Sequence, residues 1–484
     1  MRKLLKGKMK KVAATGLCLA MVAGCLTGCG SNDDKGSESS TAAEKTEAGG
    51  EKTEAPSGEK KGTINVWAFT DEVPKMIDKY VETHPDFGYE INTTIVATTD
   101  GAYQPALDQA LAAGGPDAPD IYCAEAAFVL KYTQGDASSY AAAYEDLGID
   151  VNSKIAEAEI AQYSVDIGTN PDGKVVGLGY QATGGCFIYR RSIAKDAFGT
   201  DDPAEISKII GGGSGNWDKF FEAAETLKGK GYGIVSGDGD VWHAVENSSD
   251  AGWIVDGKLT IDPKREAFLD ISKKLKDNDY YNDTQDWQDA WFADMKGEGA
   301  KGIFGFFGPA WLINYTLAPN CGGSAAGEGT YGDWAVCDPP VGFFWGGTWV
   351  LANKDTEKKE AVGEIIEWIT LNSSEDGLQY AWANGTVDWD NDPNTATAKD
   401  SVASGKVMNI SDGSLDFLGG QNMFDYFVPA NSYANGKNLT QYDETINQYW
   451  RDAVRTYTSG EKSREEAIEA FKQNVKDNLD VVVE

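Results

Sequence analysis

Aromatic and acidic side chains stand at the ends of the first predicted strands. Trp67 and Asp71 lie at the end of the first strand, and Tyr122 and Glu125 at the end of the third. A flat aromatic ring stacks on an apolar face, and a carboxylate accepts hydrogen bonds from hydroxyl groups. This pairing of residue types suits a site that binds a small ligand with both an apolar face and hydrogen-bond donors.

Motifs for a metal, a nucleotide or a catalytic triad are incomplete. Residues 388–392, Asp-Trp-Asp-Asn-Asp, begin like a calcium loop, but Pro393 replaces the turn glycine and Lys399 the closing glutamate. The glycines of 177–182 lack a following helix, and those of 211–215 lack the Lys-Ser/Thr of a phosphate loop. Without a Gly-x-Ser-x-Gly motif, and with two histidines in the chain, a serine triad has few candidates. The sequence predicts no catalytic residue, no metal and no cofactor.

One enzyme class needs no special motif. A glycoside hydrolase requires only two carboxylates on either side of a sugar bond. The chain has 76 acidic residues, so composition leaves this alternative open.

Four cysteines lie in the body of the chain, and none belongs to a Cys-x-x-Cys pair. They are Cys123, Cys186, Cys321 and Cys337. A disulfide between Cys321 and Cys337, which are close in a glycine-rich region, is one interpretation. Small buried free thiols are the favoured interpretation for all four.

The N-terminus has the layout of a secretory signal. Six basic residues precede an apolar stretch over 12–26, which is too short for a permanent membrane helix. Leu26-Thr27-Gly28-Cys29 follows and resembles the bacterial lipobox, in which the cysteine carries a lipid such as palmitate. The sequence thus predicts a lipoprotein signal peptide over 1–28 and lipidation of Cys29; a plain cleaved signal is the alternative.

Residues 29–62 and the overall charge predict how the folded part of the chain is held at the membrane. The stretch is polar and small, with almost no large apolar side chain, so we expect a disordered tether. The net charge of −33 becomes six units more negative when 1–28 are removed. A body this acidic repels nucleic acid and anionic lipid, so the lipid would hold it at the membrane.

The body opens with alternating strands and helices. TINVWAF at 63–69 alternates as a strand, and apolar residues at helical spacing follow over 73–81, with Asp71 as a cap. A second strand over 90–97 and a third ending near Tyr122 continue the pattern. This order predicts a parallel sheet with helices on both faces, in which ligands bind at the carboxyl ends of the strands.

Two later helices carry their own start signals. Asn216 is predicted to cap a helix whose inner face includes Phe220 and Phe221. Ser463 and Glu466 form the pattern of a capping box for the last helix.

A glycine-rich stretch at 176–191, VGLGYQATGGCFIYRR, joins two apolar strands. Glycine adopts backbone angles that other residues resist, so this stretch suits a hinge between two lobes. The alternative is an ordinary strand–turn–strand with a bulge. The length of the body exceeds a typical single core, which favours two lobes. Paired glycines within 344–352 give a natural second crossing.

Several landmarks together resemble the extracellular solute-binding proteins of bacterial ABC importers, the large family that includes maltose-binding protein. They keep the family's order across nearly all of 63–484. Besides the lipobox and the crossing at 176–191, they are GPDAPDIY at 115–122, NWDKFFEAAETLKGKG at 216–231, KGIFGFFGPAW at 301–311, DPPVGFFWGGTWVLANK at 338–354 and the final helix pair with SGEKSREEAIEAF at 459–471.

The resemblance implies a two-lobed α/β fold of the periplasmic-binding-protein type (type II), with mixed sheets flanked by helices and a ligand cleft between the lobes. The N-terminal lobe would comprise 63–180 and 350–395. The C-terminal lobe would comprise 184–345 and 396–484. Residues 386–435 carry no family landmark, so the third crossing is poorly placed.

The resemblance also implies ligand-binding residues. The family's Gly-Pro-Trp motif places a stacking tryptophan, which matches Trp311, although this chain inserts Ala310 before it. Trp450 matches a tryptophan of a C-terminal helix that lines the cleft. The crossings add a further group to Trp67, Asp71, Tyr122 and Glu125: Tyr180, Gln181, Trp345 and Trp349. For every aromatic residue the alternative is plain core packing.

The resemblance implies a function without catalysis. The protein would be a monomeric, lipid-anchored component of an ABC transporter that captures a carbohydrate, more specifically an oligosaccharide, and delivers it to the permease subunits. A polyamine or other cationic solute is an alternative cargo, which acidic residues in the cleft would favour. The glycoside hydrolase remains the alternative from another class.

Overall fold

The computed structural model describes residues 61–98, 101–389 and 398–483. The predicted signal peptide, the lipid site Cys29 and nearly all of the predicted tether lie outside these residues, as does most of the calcium-loop-like segment. Within the described ranges, no helix has the length and apolar character needed to cross a membrane.

Five strands form the first sheet, in the order β2-β1-β3-β10-β4. They are β1 (Gly62–Ala68), β2 (Tyr89–Ile95), β3 (Ile121–Glu125), β4 (Gly177–Gly179) and β10 (Thr348–Ala352). β1 pairs parallel with β2 and β3, whereas β10 runs antiparallel between β3 and β4. The first sheet is therefore mixed, because β10 runs antiparallel to strands that would otherwise form a parallel sheet.

The second sheet is smaller and antiparallel. Its order is β8-β5-β9, with β5 (Cys186–Arg190) between β8 (Gly305–Gly308) and β9 (Trp334–Cys337). Two short hairpins accompany it: β6 (Ile254–Val255) with β7 (Lys258–Leu259), and β11 (Ser414–Leu415) with β12 (Gln421–Asn422).

Helices flank both sheets. Those up to β5 are α1 (Glu72–Thr83), α2 (Tyr103–Ala113), α3 (Val129–Thr133), α4 (Val151–Ala158) and α5 (Gln162–Ile167). Those from β5 to β9 are α6 (Arg191–Phe198), α7 (Pro203–Ile210), α8 (Asp218–Lys228), α9 (Asp238–Glu246), α10 (Pro263–Glu266), α11 (Phe268–Asp277), α12 (Asp289–Lys296) and α13 (Ala310–Leu312), which a π-helix, Ile313–Leu317, extends. The last are α14 (Lys359–Thr370), α15 (Leu378–Ala383), α16 (Gly405–Ile410), α17 (Phe424–Tyr433), α18 (Asp443–Thr458) and α19 (Arg464–Asn478).

Buried side chains divide the molecule into two lobes. In the first lobe, the apolar faces of α1 and α14 pack on one side of the first sheet, and those of α2 and α3 on the other. In the second lobe, α8, α9, α11, α18 and α19 bury their apolar faces around β5 and β8. The two-lobed α/β fold with mixed sheets is therefore confirmed.

Two crossings carry the chain between the lobes. The first, 180–185, joins β4 in the first sheet to β5 in the second, so these strands are not a hairpin. Gly185 is required there, because a Cβ atom would lie 2.0 Å from Cζ of Phe343. The second, 338–347, returns from β9 to β10 and ends in Gly346 and Gly347 with φ of +67° and +111°. The predicted third boundary at 395–396 lies outside the described residues.

Capping residues were predicted at the starts of three helices, and the structure confirms one of the three. Ser463 and Glu466 form the predicted capping box, with both hydrogen bonds present. Asp71 precedes α1 without capping it, since its carboxylate pairs with Lys75 Nζ at 2.9 Å. Asn216 lies one residue too early to be the N-cap of α8, although its side chain accepts a hydrogen bond from Asp218 N–H.

The four body cysteines are buried free thiols, as favoured from the sequence. The alternative disulfide between Cys321 and Cys337 is absent from the described residues. Cys337 lies in β9, whereas the Cys321 Sγ–H donates to carbonyl oxygens in its own loop.

Candidate functional site

The end of the second crossing, Phe344–Gly347, is the point where groups from both lobes meet. We call these four residues the crossing segment. Its Trp345 N–H donates to the carbonyl of Thr183 in the first crossing at 3.1 Å. Its Gly347 carbonyl accepts a hydrogen bond at 3.0 Å from the N–H of Ala126, which follows β3. The crossing segment is therefore hydrogen-bonded both to the first crossing and to the start of the loop after β3.

Trp311 is fixed against the crossing segment. Its indole Nε1–H donates to the Trp345 carbonyl at 3.0 Å, and its ring lies 3.4 Å from the position that a Cβ of Gly346 would take. The inserted Ala310 is only 1 % exposed and takes the inward position after Pro309. The ring of Trp311 consequently stays half-buried at the surface of the second lobe.

Trp311 belongs to a group of four rings, which we call the aromatic floor: Trp287, Trp311, Tyr315 and Trp345. Its ring centroid lies 4.9 Å from that of Trp345 and 6.3 Å from those of Trp287 and Tyr315. The planes of Trp311 and Trp287 are nearly parallel, at 8°. Tyr315 is 53 % exposed, and the three tryptophans are half-buried. Partly exposed aromatic rings grouped in this way can stack on the apolar face of a ligand.

Carboxylates from the first lobe approach the floor. Glu125 ends β3 beside the crossing segment, because it pairs in register with Thr348. Burial raises the pKa of Tyr315, and the charges of Glu72 and Asp71 at the start of α1 raise it further. Tyr315 of the second lobe therefore faces acidic groups of the first.

Glu125 itself lies in a field of negative charge. Its Oε2 accepts a hydrogen bond from Ala127 N–H at 2.8 Å. Burial raises its pKa to about 7, and the charge of Glu444 on α18 of the second lobe adds to the rise. Burial also raises the pKa of Glu444, which Arg451 opposes. Carboxylates thus come together from the two lobes.

Tyr180 and Gln181 are buried at the first crossing. Tyr180 is 6 % exposed, stacks on Trp382 at 5.8 Å and donates its hydroxyl to Glu72 Oε2 at 2.9 Å. Gln181 is 8 % exposed. The hydroxyl of Tyr180 therefore orients the carboxylate of Glu72.

Three of the sequence-predicted residues are core side chains, which corrects their expected role. Trp450 is fully buried against Trp253 and Phe471. Trp349 is 1 % exposed, with its Nε1–H bound to the Ser164 carbonyl at 3.1 Å. Tyr122 is also fully buried. These rings have no face open to a ligand.

Trp67 and Asp71 remain accessible. Trp67 is half-buried near the end of β1 and packs on the core beside α2. Asp71 keeps 60 % of its side chain exposed. The structure thus places Trp67 and Asp71 at the end of β1, Glu125 beside the crossing segment, and Trp311 and Trp345 in the aromatic floor.

Sequence reasoning missed Glu72, Trp287, Tyr315 and Glu444. Tyr315 had a usable signal, because a residue four positions after Trp311 shares its helical face. Glu72 had one as well, since it adjoins Asp71. Trp287 had none, because its position depends on contacts made by residues distant in sequence.

Two surface hollows lie elsewhere, on the outer face of the first lobe. One, of about 640 Å³, borders strand β2 near Tyr89, and the other, of about 610 Å³, lies between α1 and α14. In the second hollow, Tyr80 stacks on His84 at 4.1 Å and contacts Trp368 edge-on at 5.4 Å. Because both hollows are lined by residues of the first lobe alone, the aromatic floor, which adjoins the crossing segment, is the better candidate site.

Comparison with known proteins agrees with this architecture. Residues 67–376 match the family model described as bacterial extracellular solute-binding protein. An extracellular solute-binding protein of family 1 superposes with a TM-score of 0.68 at 16 % identity, covering 86 % of this chain and 99 % of its own. A search of curated proteins finds no significant match.

Two further similar structures are sugar-binding proteins. The galacto-N-biose/lacto-N-biose I-binding protein of Bifidobacterium longum gives a TM-score of 0.60 at 16 % identity over 89 % of this chain and 100 % of its own. The cyclic α-maltosyl-1,6-maltose-binding protein of Arthrobacter globiformis gives a TM-score of 0.61 at 15 % identity. The match covers 86 % of this chain and 98 % of that protein. At such identities the likeness shows the fold.

Proposed function

This chain belongs to the family of bacterial extracellular solute-binding proteins, the solute-binding components of ABC transporters, and we propose that its cargo is an oligosaccharide. The observation that carries the proposal is the aromatic floor beside the crossing segment, with carboxylates opposite it. Sugar rings stack on indole faces, and their hydroxyls donate to carboxylates. Structurally similar proteins bind oligosaccharides, which supports this choice.

The proposed site uses residues from both lobes. Trp311 and Trp345 stack on sugar faces, while Asp71 and Glu125 accept hydrogen bonds from hydroxyl groups. Trp67 lies at the margin, where a longer ligand would extend. We leave out Trp349, Trp450 and Tyr122, since their rings are enclosed in cores.

Binding in such a site favours the closed form of the protein. A ligand that touches both lobes binds the closed arrangement better than the open one and shifts the equilibrium by that difference. The crossing segment bonds to the first crossing and to the start of the loop after β3, so it relays this change. No step requires bond cleavage, and we propose that the protein is not an enzyme.

We propose that a lipid on Cys29 anchors the protein outside the cytoplasm, at the cell membrane, as a monomer that meets the permease subunits. Replacing Cys29 by Ser removes the thiol that would carry the lipid, so we expect the variant in the soluble fraction. Fractionation and immunoblotting measure this. Continued membrane retention of C29S would show that something else holds the protein.

The test of the cargo is a tryptophan fluorescence titration of residues 30–484. The panel is lacto-N-biose, β-1,6-galactobiose and cycloalternan, which similar proteins bind, with spermidine as a cationic solute. A saturable change with an intact sugar supports the proposal. Cleaved sugar would support the glycoside hydrolase instead.

A cationic solute is the second candidate, because carboxylates of both lobes lie near the rings. Glu125 and Glu444 approach from opposite lobes, and Glu72 lies close to Tyr315. Rings combined with carboxylates attract ammonium groups. A response to spermidine alone would keep the fold and change the cargo.

A further inference from the structure

A buried polar group lies directly beneath the aromatic floor. His243 of α9 is 7 % exposed and stacks on Trp345, with ring centroids 3.6 Å apart and planes at 16°. Its Nε2 lies 3.1 Å from Asp286 Oδ2. Arg451 of α18 places Nη1 3.7 Å from the same oxygen. The carboxylate of Asp286 is therefore held from two elements at once.

The place for Asp286 is shaped by a glycine. A Cβ atom on Gly239 would lie 2.3 Å from Asp286 Oδ1 and 2.8 Å from Arg451 Nη2. Only glycine leaves room for both groups at this point of α9. Burial alone would raise the pKa of Asp286, but the hydrogen bond with His243 and the charge of Arg451 outweigh it and keep the carboxylate ionised.

Trp287 follows Asp286 directly and has an unusual backbone. Its φ is +64°, a region that bulky residues avoid unless their surroundings impose it. Its ring contacts Trp291 at 5.4 Å and Trp345 at 6.0 Å and lies nearly parallel to Trp311. The fixed carboxylate of the preceding residue supplies the restraint that such a conformation needs.

This arrangement differs from ordinary core packing in one respect. Trp291, four residues later, is 1 % exposed and donates its Nε1–H to Asp240 Oδ1, whereas Trp287 stays half-buried with no hydrogen bond to its indole among the described residues. A strained backbone that keeps an apolar ring partly in water is costly unless the ring has something to bind.

We propose that Trp287 is a ligand-stacking residue and that Asp286 is the positioning residue that holds its ring parallel to that of Trp311. The inference rests on the proposed function and deepens it. A second, partly exposed ring adds a stacking surface to that of Trp311, as a ligand of more than one sugar unit requires. Asp286 acts through Trp287 and touches no ligand itself.

The experiment compares Trp287→Ala, Asp286→Asn and the double variant in the same sugar titrations, with Trp311→Ala as reference. We expect each single variant to bind about tenfold more weakly. If Asp286 acts through Trp287, the double variant binds no more weakly than Trp287→Ala alone. Trp287→Phe, which keeps a ring, should recover part of the affinity. Thermal melts check that each variant is folded; Asp286→Glu replaces Asp286→Asn if the latter does not fold.

Each outcome separates the two proposals. If Trp311→Ala weakens binding and Trp287→Ala does not, Trp287 has no stacking role and the function stands. If the losses from Asp286→Asn and Trp287→Ala add, Asp286 does not act through Trp287. If the wild-type protein binds no sugar of the panel, the proposed function fails; spermidine titrations of the same variants then decide on Trp287, and no binding of either kind overturns both.

Discussion

Trp311 and Trp450 use the same side chain in opposite environments. Trp311 is half-buried, fixed by one hydrogen bond and open on part of its ring. Trp450 is fully buried, and its Nε1–H has no hydrogen-bond partner among the described residues. The first position is suited to binding and the second to stability, which two substitutions distinguish.

Trp311→Ala should weaken sugar binding and leave the fold intact. The substitution removes a stacking face worth about 1 kcal/mol beyond its buried area, so we expect affinity to fall roughly tenfold. Isothermal titration calorimetry measures the affinity, and circular dichroism checks the fold. Unchanged affinity would remove Trp311 from the site.

Trp450→Ala should have the reverse effect. The cavity left among Trp253 and Phe471 should lower the free energy of unfolding by about 3–5 kcal/mol. Chemical denaturation measures this. Trp450→Phe is the matched control: it keeps most of the packing and removes an unpaired N–H, so its loss should be smaller. Equal losses for both variants would argue against the packing role.

The sequence predicts the environment of some of these residues and not of others. Trp311 was predicted from its match to the family's Gly-Pro-Trp motif and Glu125 from its place at the end of a strand, but the same strand-end argument also selected Tyr122, which is buried in the core. Trp349 and Trp450 could not be told apart from cleft residues, since a tryptophan near a glycine or on a helix face reads the same in either place. The place of Asp286, which precedes Trp287, depends on Gly239 and Arg451, which lie far from it in sequence.

At the scale of elements, local sequence patterns predicted which segments form strands and helices better than they predicted which elements pair with one another. The alternation in 63–69 and the helical spacing in 73–81 gave β1 and α1 within a few residues. The insertion of β10 between β3 and β4 has no local signal, because it pairs residues at least 170 positions apart in sequence. The crossings were recognisable because paired glycines mark places where side chains do not fit.

The capping box of α19 gives a test at this scale. Ser463→Ala removes the acceptor for Glu466 N–H, so the free energy of unfolding should fall by about 1 kcal/mol. Affinity for sugar should stay unchanged, because α19 packs on the outer side of the second lobe core. Differential scanning calorimetry measures the stability. A change in affinity, or a stability equal to that of the wild-type protein, would contradict this role.

At the scale of the whole molecule, the two lobes bring negative charges together. Glu125 comes from the first lobe and Glu444 from the second, and the charge of Glu444 adds to the rise of the Glu125 pKa, so the two carboxylates repel each other. A closed form that brings the two carboxylates closer is stabilised when one of them is protonated or when a cation lies between them. Closure is therefore expected to depend on pH.

The pH dependence distinguishes the two candidate cargoes. The pKa of Glu125 is raised from 4.5 to about 7, so the folded protein binds more protons than the unfolded chain between these values, and stability should fall as pH rises through this window. A neutral sugar should then bind more tightly at pH 6 than at pH 8, because protonated Glu125 no longer repels Glu444 and still accepts a hydroxyl hydrogen bond through its carbonyl oxygen. A cationic solute should show the opposite trend, since it loses a negative partner at pH 6.

Glu125→Gln isolates this effect from other groups that titrate nearby. Glu246 also has a pKa raised to about 8, chiefly by burial and then by Glu444, so the wild-type profile alone is ambiguous. Glutamine stays neutral, and the variant should bind a neutral sugar at pH 8 about as well as the wild-type protein does at pH 6. Titrations at both pH values measure this. An unchanged pH profile in Glu125→Gln would show that repulsion between the lobes at this pair does not control closure.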